Sequence, residues 1–121
     1  MAKQLHWLSD TTPSFPNISE ALNEPNGLLA AGGNLQKDTL LKAYQKGIFP
    51  WFNDGEPILW WSPNPRMVLR PEDVKISKSL TKTLKKDLFH ITFDHAFNHV
   101  MTMCAKPRAY SDQTWITDDM V

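Results

Sequence analysis

Residues 47 to 63 read Gly47-Ile48-Phe49-Pro50-Trp51-Phe52, then Asn53-Asp54-Gly55-Glu56, then Pro57-Ile58-Leu59-Trp60-Trp61-Ser62-Pro63. Three of the five tryptophans and two of the six phenylalanines fall in this stretch. Aromatic side chains bury large areas and form rigid walls, so the cluster builds either a core or a recognition pocket. Gly47, Pro50, Pro57 and Pro63 interrupt any long helix or central strand. What remains is short extended pieces joined by turns, with rings pointing both ways.

Upstream, the pattern predicts a helix over 36–46. Leu40, Leu41 and Tyr44 recur on one face, Asn34 can cap the start, and Gly47 fits the C-terminal stop. The helix delivers the chain straight into the aromatic block. Before it, Pro13, Pro16 and Pro25 space out short apolar groups, read as loops and short strands with a helical turn at 19–22. Asn26-Gly27 signals a turn, and Gly32-Gly33 is too sparse for a phosphate loop and shapes a turn.

Downstream, Pro-rich aromatic sequence gives way near 62–65 to a regular helix–strand–helix pattern, which marks a domain boundary. Met67–Leu69 reads as a strand ended by Pro71. Ser77 can cap a helix through Lys86, with Leu80 and Leu84 inward and lysines outward. His90–Phe93 alternates like a strand. Asp94 caps a following helix whose Phe97, Val100, Met101 and Cys104 share a face, and Lys106-Pro107 stops it.

The 121 residues suit one ordinary domain, or a small domain plus part of another. Acidic and basic residues balance at 13 each, so any nucleic-acid contact must come from a local patch. The chain has no run of eighteen apolar residues and no signal-peptide pattern, and Cys104 is its single cysteine. Together these lead to the expectation of a cytoplasmic protein with no membrane partner.

Five blocks in register carry a family resemblance. They are Glu24-Pro25-Asn26-Gly27-Leu28-Leu29-Ala30 with Gly32-Gly33, Ala43-Tyr44, Gly47–Trp51, Pro57–Pro63 with Arg66, and Thr114-Trp115-Ile116-Thr117. The chain closely resembles the bacterial leucyl/phenylalanyl-tRNA–protein transferases from about Phe15 to its end. The fold implied is α+β. Residues 1–63 would form a small N-terminal mixed domain of short strands and helices. Residues 64–121 would open a GNAT-like (acetyltransferase-like) domain. Thr117-Asp118-Asp119 starts a helix that Val121 leaves one turn long, and one turn does not stand alone. With the resemblance, this leads to the expectation of an amino-terminal fragment.

The resemblance implies transfer of Leu or Phe from Leu-tRNA or Phe-tRNA to the N-terminal amine of proteins beginning with Arg or Lys, which marks them for N-end rule degradation. No cofactor or metal is implied, and the groups that activate the amine are expected beyond Val121. The fragment itself is expected to be inactive and to self-associate through surface the missing part would cover.

The resemblance makes Trp51 and Trp115 walls of an apolar pocket for the aminoacyl side chain, where the alternative from residues alone is plain core. Trp60, Trp61 and Phe49 are read as core behind that wall. Lys75, Lys78, Lys82, Lys85 and Lys86 keep to one broad helical face. Such a stripe is either a solvated surface or a phosphate grip, and the resemblance favours tRNA binding by Lys78, Lys82, Lys85 and Lys86. Arg66 and Arg70 flank the boundary and can join that patch. His95 and His99 have metal-ligand spacing but no completing set. Cys104 reads as a small core residue, and Ser62 lacks a nucleophile elbow. Two rival functions remain: a non-catalytic protein-binding module with an aromatic groove, and a general single-stranded RNA binder.

Overall fold

The computed structural model describes residues 3–108 together with 114, 116 and 118. Four short strands make one sheet: β1 (His6–Leu8), β2 (Leu28–Gly32), β3 (Phe49–Pro50) and β4 (Leu59–Trp61), in the order β1-β2-β4-β3. Helices α1 (Lys37–Gln45), α2 (Lys78–Lys85) and α3 (Phe97–Ala105) and 3-10 turns at Ile18–Glu20 and Pro71–Asp73 complete the described elements. The chain is therefore mixed α and β, as expected.

Strand β2 reads Leu-Leu-Ala-Ala-Gly because it is central and covered on both faces, with Leu28 to Ala31 all buried. It runs parallel to β1 (His6 beside Ala30, Leu8 beside Gly32) and antiparallel to β4 (Ala30 beside Trp60, Ala31 beside Leu59). Placing Ala30 opposite Trp60 leaves room for the indole, which is fully buried. Phe15 meets that indole edge-on with centroids 4.8 Å apart. The indole Nε1 donates to the Gly32 carbonyl at 2.9 Å, so its one polar atom is satisfied. Leu8, Leu29, Ala43 and Ile48 close the core around it.

Helix α1 ends as its sequence predicts. Gly47 has φ +71, its N–H donates to the Tyr44 carbonyl, and the Ile48 N–H donates to the Ala43 carbonyl. This is a Schellman stop, which favours glycine. At the other end Gln36 occupies the cap position without a side-chain bond. Asn34 Oδ1 acts two residues earlier, accepting from the Gln36 N–H at 3.0 Å and the Thr39 hydroxyl at 2.7 Å. The buried face differs from expectation. Thr39 and Ala43 face the core, Leu40 is half-buried, and Leu41 and Tyr44 are exposed. The smaller side chains let the helix lie close against the sheet.

The turn before β2 is tied to the end of β4. Ser62 donates its N–H to the Gly27 carbonyl at 2.7 Å. A Cβ on Gly27 would stand 2.4 Å from the Pro63 Cα, and φ there is +90, so only glycine fits. Pro50 is tolerated because β3 is an edge strand.

Residues 64–108 depart further from expectation. Neither 67–69 nor 90–93 forms a strand, since neither run lies beside a described strand that would pair with it. Met67, Val68, Ile91 and Phe93 are all exposed. Ser77 does cap α2, its Oγ accepting from the Leu80 N–H at 3.1 Å. Leu80 and Leu84 nevertheless lie open, as do Phe97, Val100 and Cys104 on α3, because no described sheet face covers either helix. Asp94 is not the cap of α3. It has φ +59, and Ala96 holds the cap position with no side-chain bond. Lys106 is the C-cap, as expected.

Candidate functional site

The exposed edge of the sheet carries an aromatic ledge. The Trp51 N–H donates to the Leu59 carbonyl at 2.9 Å, prolonging the β3–β4 pairing by one residue. Its ring lies 6.2 Å from that of Trp61 at 53°, and Trp61 Nε1 donates to the Trp51 carbonyl at 2.7 Å. Backbone and ring are therefore both held, yet 52% of Trp51 remains exposed. Phe49, two residues earlier on an extended segment, points to the same side. Of the rings read as backing, Trp60 is core, whereas Trp61 and Phe49 are half-buried.

Arg66 fastens the chain leaving β4 to this ledge. Its guanidinium lies over the Phe49 ring, 5.5 Å from the centroid, a cation–π placement. It donates to the Gly47 carbonyl, to the Pro63 carbonyl at 3.2 Å and to Ser62 Oγ at 3.3 Å. Ser62 is buried and also donates to the Gly47 carbonyl, so it is a structural hydroxyl.

Beside this clamp opens a cleft of about 500 Å³ lined by Ser19, Lys46, Gly47, Ser62, Asn64 and Arg66, among others. A second, of about 310 Å³, shares Lys46 and adds Lys42 and Gln45. Among the described residues, no acidic side chain lines either. Nothing in the local sequence around Lys46 or Asn64 singles them out. The cleft exists only because the Ser62–Arg66 segment folds back on the end of α1, a long-range closure with no local signature.

Lys78, Lys82 and Lys85 lie on α2 and Lys86 follows as its C-cap, with Lys75 just before it. All five are exposed, and none pairs with an acid among the described residues; elsewhere His6 Nε2 lies 2.8 Å from Glu20 Oε2. The structure brings Trp51, Trp61, Phe49 and Arg66 together. Trp115 lies outside the described residues, as do Thr117 and Asp119. No group of three or more His, Cys, Asp or Glu that could hold a metal occurs among the described residues, and no described helix is long and apolar enough to cross a membrane.

Two family models match in order. The leucyl/phenylalanyl-tRNA protein transferase N-terminal domain covers residues 33–64, and the leucyl/phenylalanyl-tRNA protein transferase model covers residues 68–121. Curated relatives named leucyl/phenylalanyl-tRNA–protein transferase are similar across nearly the whole chain. The one from Cellvibrio japonicus is 56% identical over 95% of this chain and 49% of its own length. That from Pseudomonas syringae is 54% identical over 96% and 51%. The Chromobacterium violaceum relative is 57% identical over 95% and 49%. The chain thus spans about half the length of these relatives.

Proposed function

The chain belongs to the leucyl/phenylalanyl-tRNA protein transferase family, and on that premise we propose that it serves an aminoacyltransferase reaction. Leu or Phe moves from its tRNA ester to the N-terminal amine of a protein beginning with Arg or Lys, in the cytoplasm, committing that protein to N-end rule degradation. The step is aminolysis of an activated ester, so the tasks are alignment, removal of the amine proton and stabilisation of the oxyanion.

One observation carries the share of these residues in the reaction. Trp51 is held at the sheet edge by Trp61 and presents half its ring, whereas its near neighbour Trp60 is spent wholly on the core. A fixed, uncommitted ring is suited to forming one wall of an apolar slot, which accepts an unbranched Cβ and crowds a branched one. Trp115 is assigned the opposing wall by the family resemblance. Lys78, Lys82, Lys85 and Lys86 grip phosphates of the tRNA, a role supported by their common exposed face.

Residues 1–63 act as an N-terminal domain and 64–121 open an acetyltransferase-like one; the division is in keeping with the two family models, which meet between residues 64 and 68, and the acetyltransferase-like character rests on the resemblance alone. The 121 residues alone do not turn over, and they associate with one another. The first is supported by the chain's spanning about half the length of its relatives, the second by the open apolar surface of residues 64–108. Labelled Phe reaching an Arg-initiated peptide at a substantial rate would overturn the first. A monomeric mass by light scattering at high concentration would overturn the second.

Binding of uncharged, Phe-charged and Val-charged tRNA tests the pocket. The Phe-charged form is expected to bind about 10-fold tighter than the Val-charged form. Equal affinity for all three would refute the Trp51 role. Changing the four lysines to Gln should weaken all three forms alike and flatten the salt dependence by about 0.7–0.9 for each phosphate no longer neutralised.

A further inference from the structure

We infer that the cleft between the end of α1 and the Ser62–Arg66 segment holds a backbone phosphate of the single-stranded 3′ end of the tRNA, one nucleotide in from the aminoacyl group. The inference deepens the proposed function and rests on it for the placement of the aminoacyl group at Trp51.

The chemistry of the lining selects the ligand class. Lys46 and Arg66 are both cations, and among the described residues no carboxylate lines the cleft and neither cation pairs with an acid. Ser19 and Asn64 add neutral polar groups to the wall. A cleft of this make-up favours an anion rich in acceptor oxygens.

Arg66 is already immobilised. Its Nε and one terminal nitrogen serve Pro63, Gly47 and Ser62, and the Phe49 ring supports the guanidinium face. No described group accepts from the other terminal nitrogen, Nη1. A guanidinium fixed in this way loses little further freedom on meeting a phosphate. Lys46 contributes a second charge on a flexible stem.

Position then chooses among phosphates. The ring that Arg66 covers belongs to Phe49, and Trp51 follows two residues later on the same side of an extended segment, about 6–7 Å along. An aminoacyl group against Trp51 therefore puts the last phosphodiester of its tRNA within reach of the cleft. Lys42, one helical turn before Lys46, continues the basic lining into the adjoining cleft.

The test uses a twelve-nucleotide RNA ending in CCA with phenylalanine attached at its 3′ end through a stable amide. A second copy carries a neutral methylphosphonate at the final linkage. Neutralising that linkage is expected to weaken binding to the natural chain about 10-fold, the size of one charge-assisted hydrogen bond. Lys46→Gln should lose a similar factor with the native RNA and nothing further with the neutral one. Lys85→Gln, on the remote α2 face, should lose the same factor with both. Lys46 makes no side-chain bond to the rest of the protein among the described residues, so its variant should keep the near-ultraviolet signal of the Trp60 core. Equal affinity of the natural chain for the two RNAs, independent losses for Lys46→Gln and the neutral linkage, or no binding of either RNA would each overturn the inference. An RNA without phenylalanine separates the two readings. If it binds as tightly as the charged one, the aminoacyl pocket fails, while the Lys46–linkage coupling is still measured.

Discussion

Trp60 and Phe93 are both large aromatic residues, yet the first is fully buried and the second is 84% exposed. The contrast extends to the regions around them. In residues 3–63 a sheet offers two faces, and Leu29, Ile48 and Trp60 close on it. In residues 64–108 two amphipathic helices carry apolar faces with no described sheet to receive them. Apolar patterning thus instructs a segment to seek cover, and only the first region supplies its own.

The widest gap between the regions should appear on truncating their aromatics. Trp60→Ala removes a fully buried ring and a satisfied N–H, and is expected to cost about 3–5 kcal/mol by chemical denaturation. Phe93→Ala should change stability by less than about 0.5 kcal/mol, as surface substitutions do. Comparable losses from both would erase the distinction.

Gly27→Ala comes next. The left-handed backbone alone costs about 1–3 kcal/mol, and the approach to Pro63 adds to it. The same denaturation midpoint reads this change, which would sharpen the view that Gly27 and Pro63 lock the turn to β4.

Ser77→Ala removes the α2 cap and should cost that helix about 1 kcal/mol. The loss is expected in amide exchange at Leu80 and not in global unfolding, because α2 makes no extensive contact with the described sheet strands. A matching fall in global stability would show the two regions to be coupled.

Trp51→Ala should cost below about 1 kcal/mol, since the ring is already half in solvent, while abolishing the preference for Phe-charged tRNA. A large stability loss with the preference intact would return Trp51 to the core.

What the sequence made legible follows the range of the interactions. The stop of α1 at Gly47 and the Ser77 cap depend on residues a few positions apart, and both stand as expected. The strands expected at 67–69 and 90–93 needed neighbours, and alternation says nothing of whether a neighbour exists. Trp60 and Trp61 are adjacent and chemically identical in the sequence. Only the register of β4 against β2 and β3 sends one into the core and leaves the other half-exposed beside Trp51. The lysine face of α2 was readable from spacing. The Lys46–Arg66 cleft was not, since its walls meet across the length of the β3–β4 connection.

The pairing of Ala30 with Trp60 also sets a timetable for synthesis. Strand β1 leaves the ribosome first but cannot dock until β2 follows, and β2 remains half-paired until β4 emerges. At about 5–20 residues per second the nascent chain therefore spends several seconds unable to close its core. Once Ser62 is free, every core residue is present at once. Nascent chains arrested with Ser62 outside the tunnel should resist protease across 3–63, and those arrested with only Gly55 outside should not.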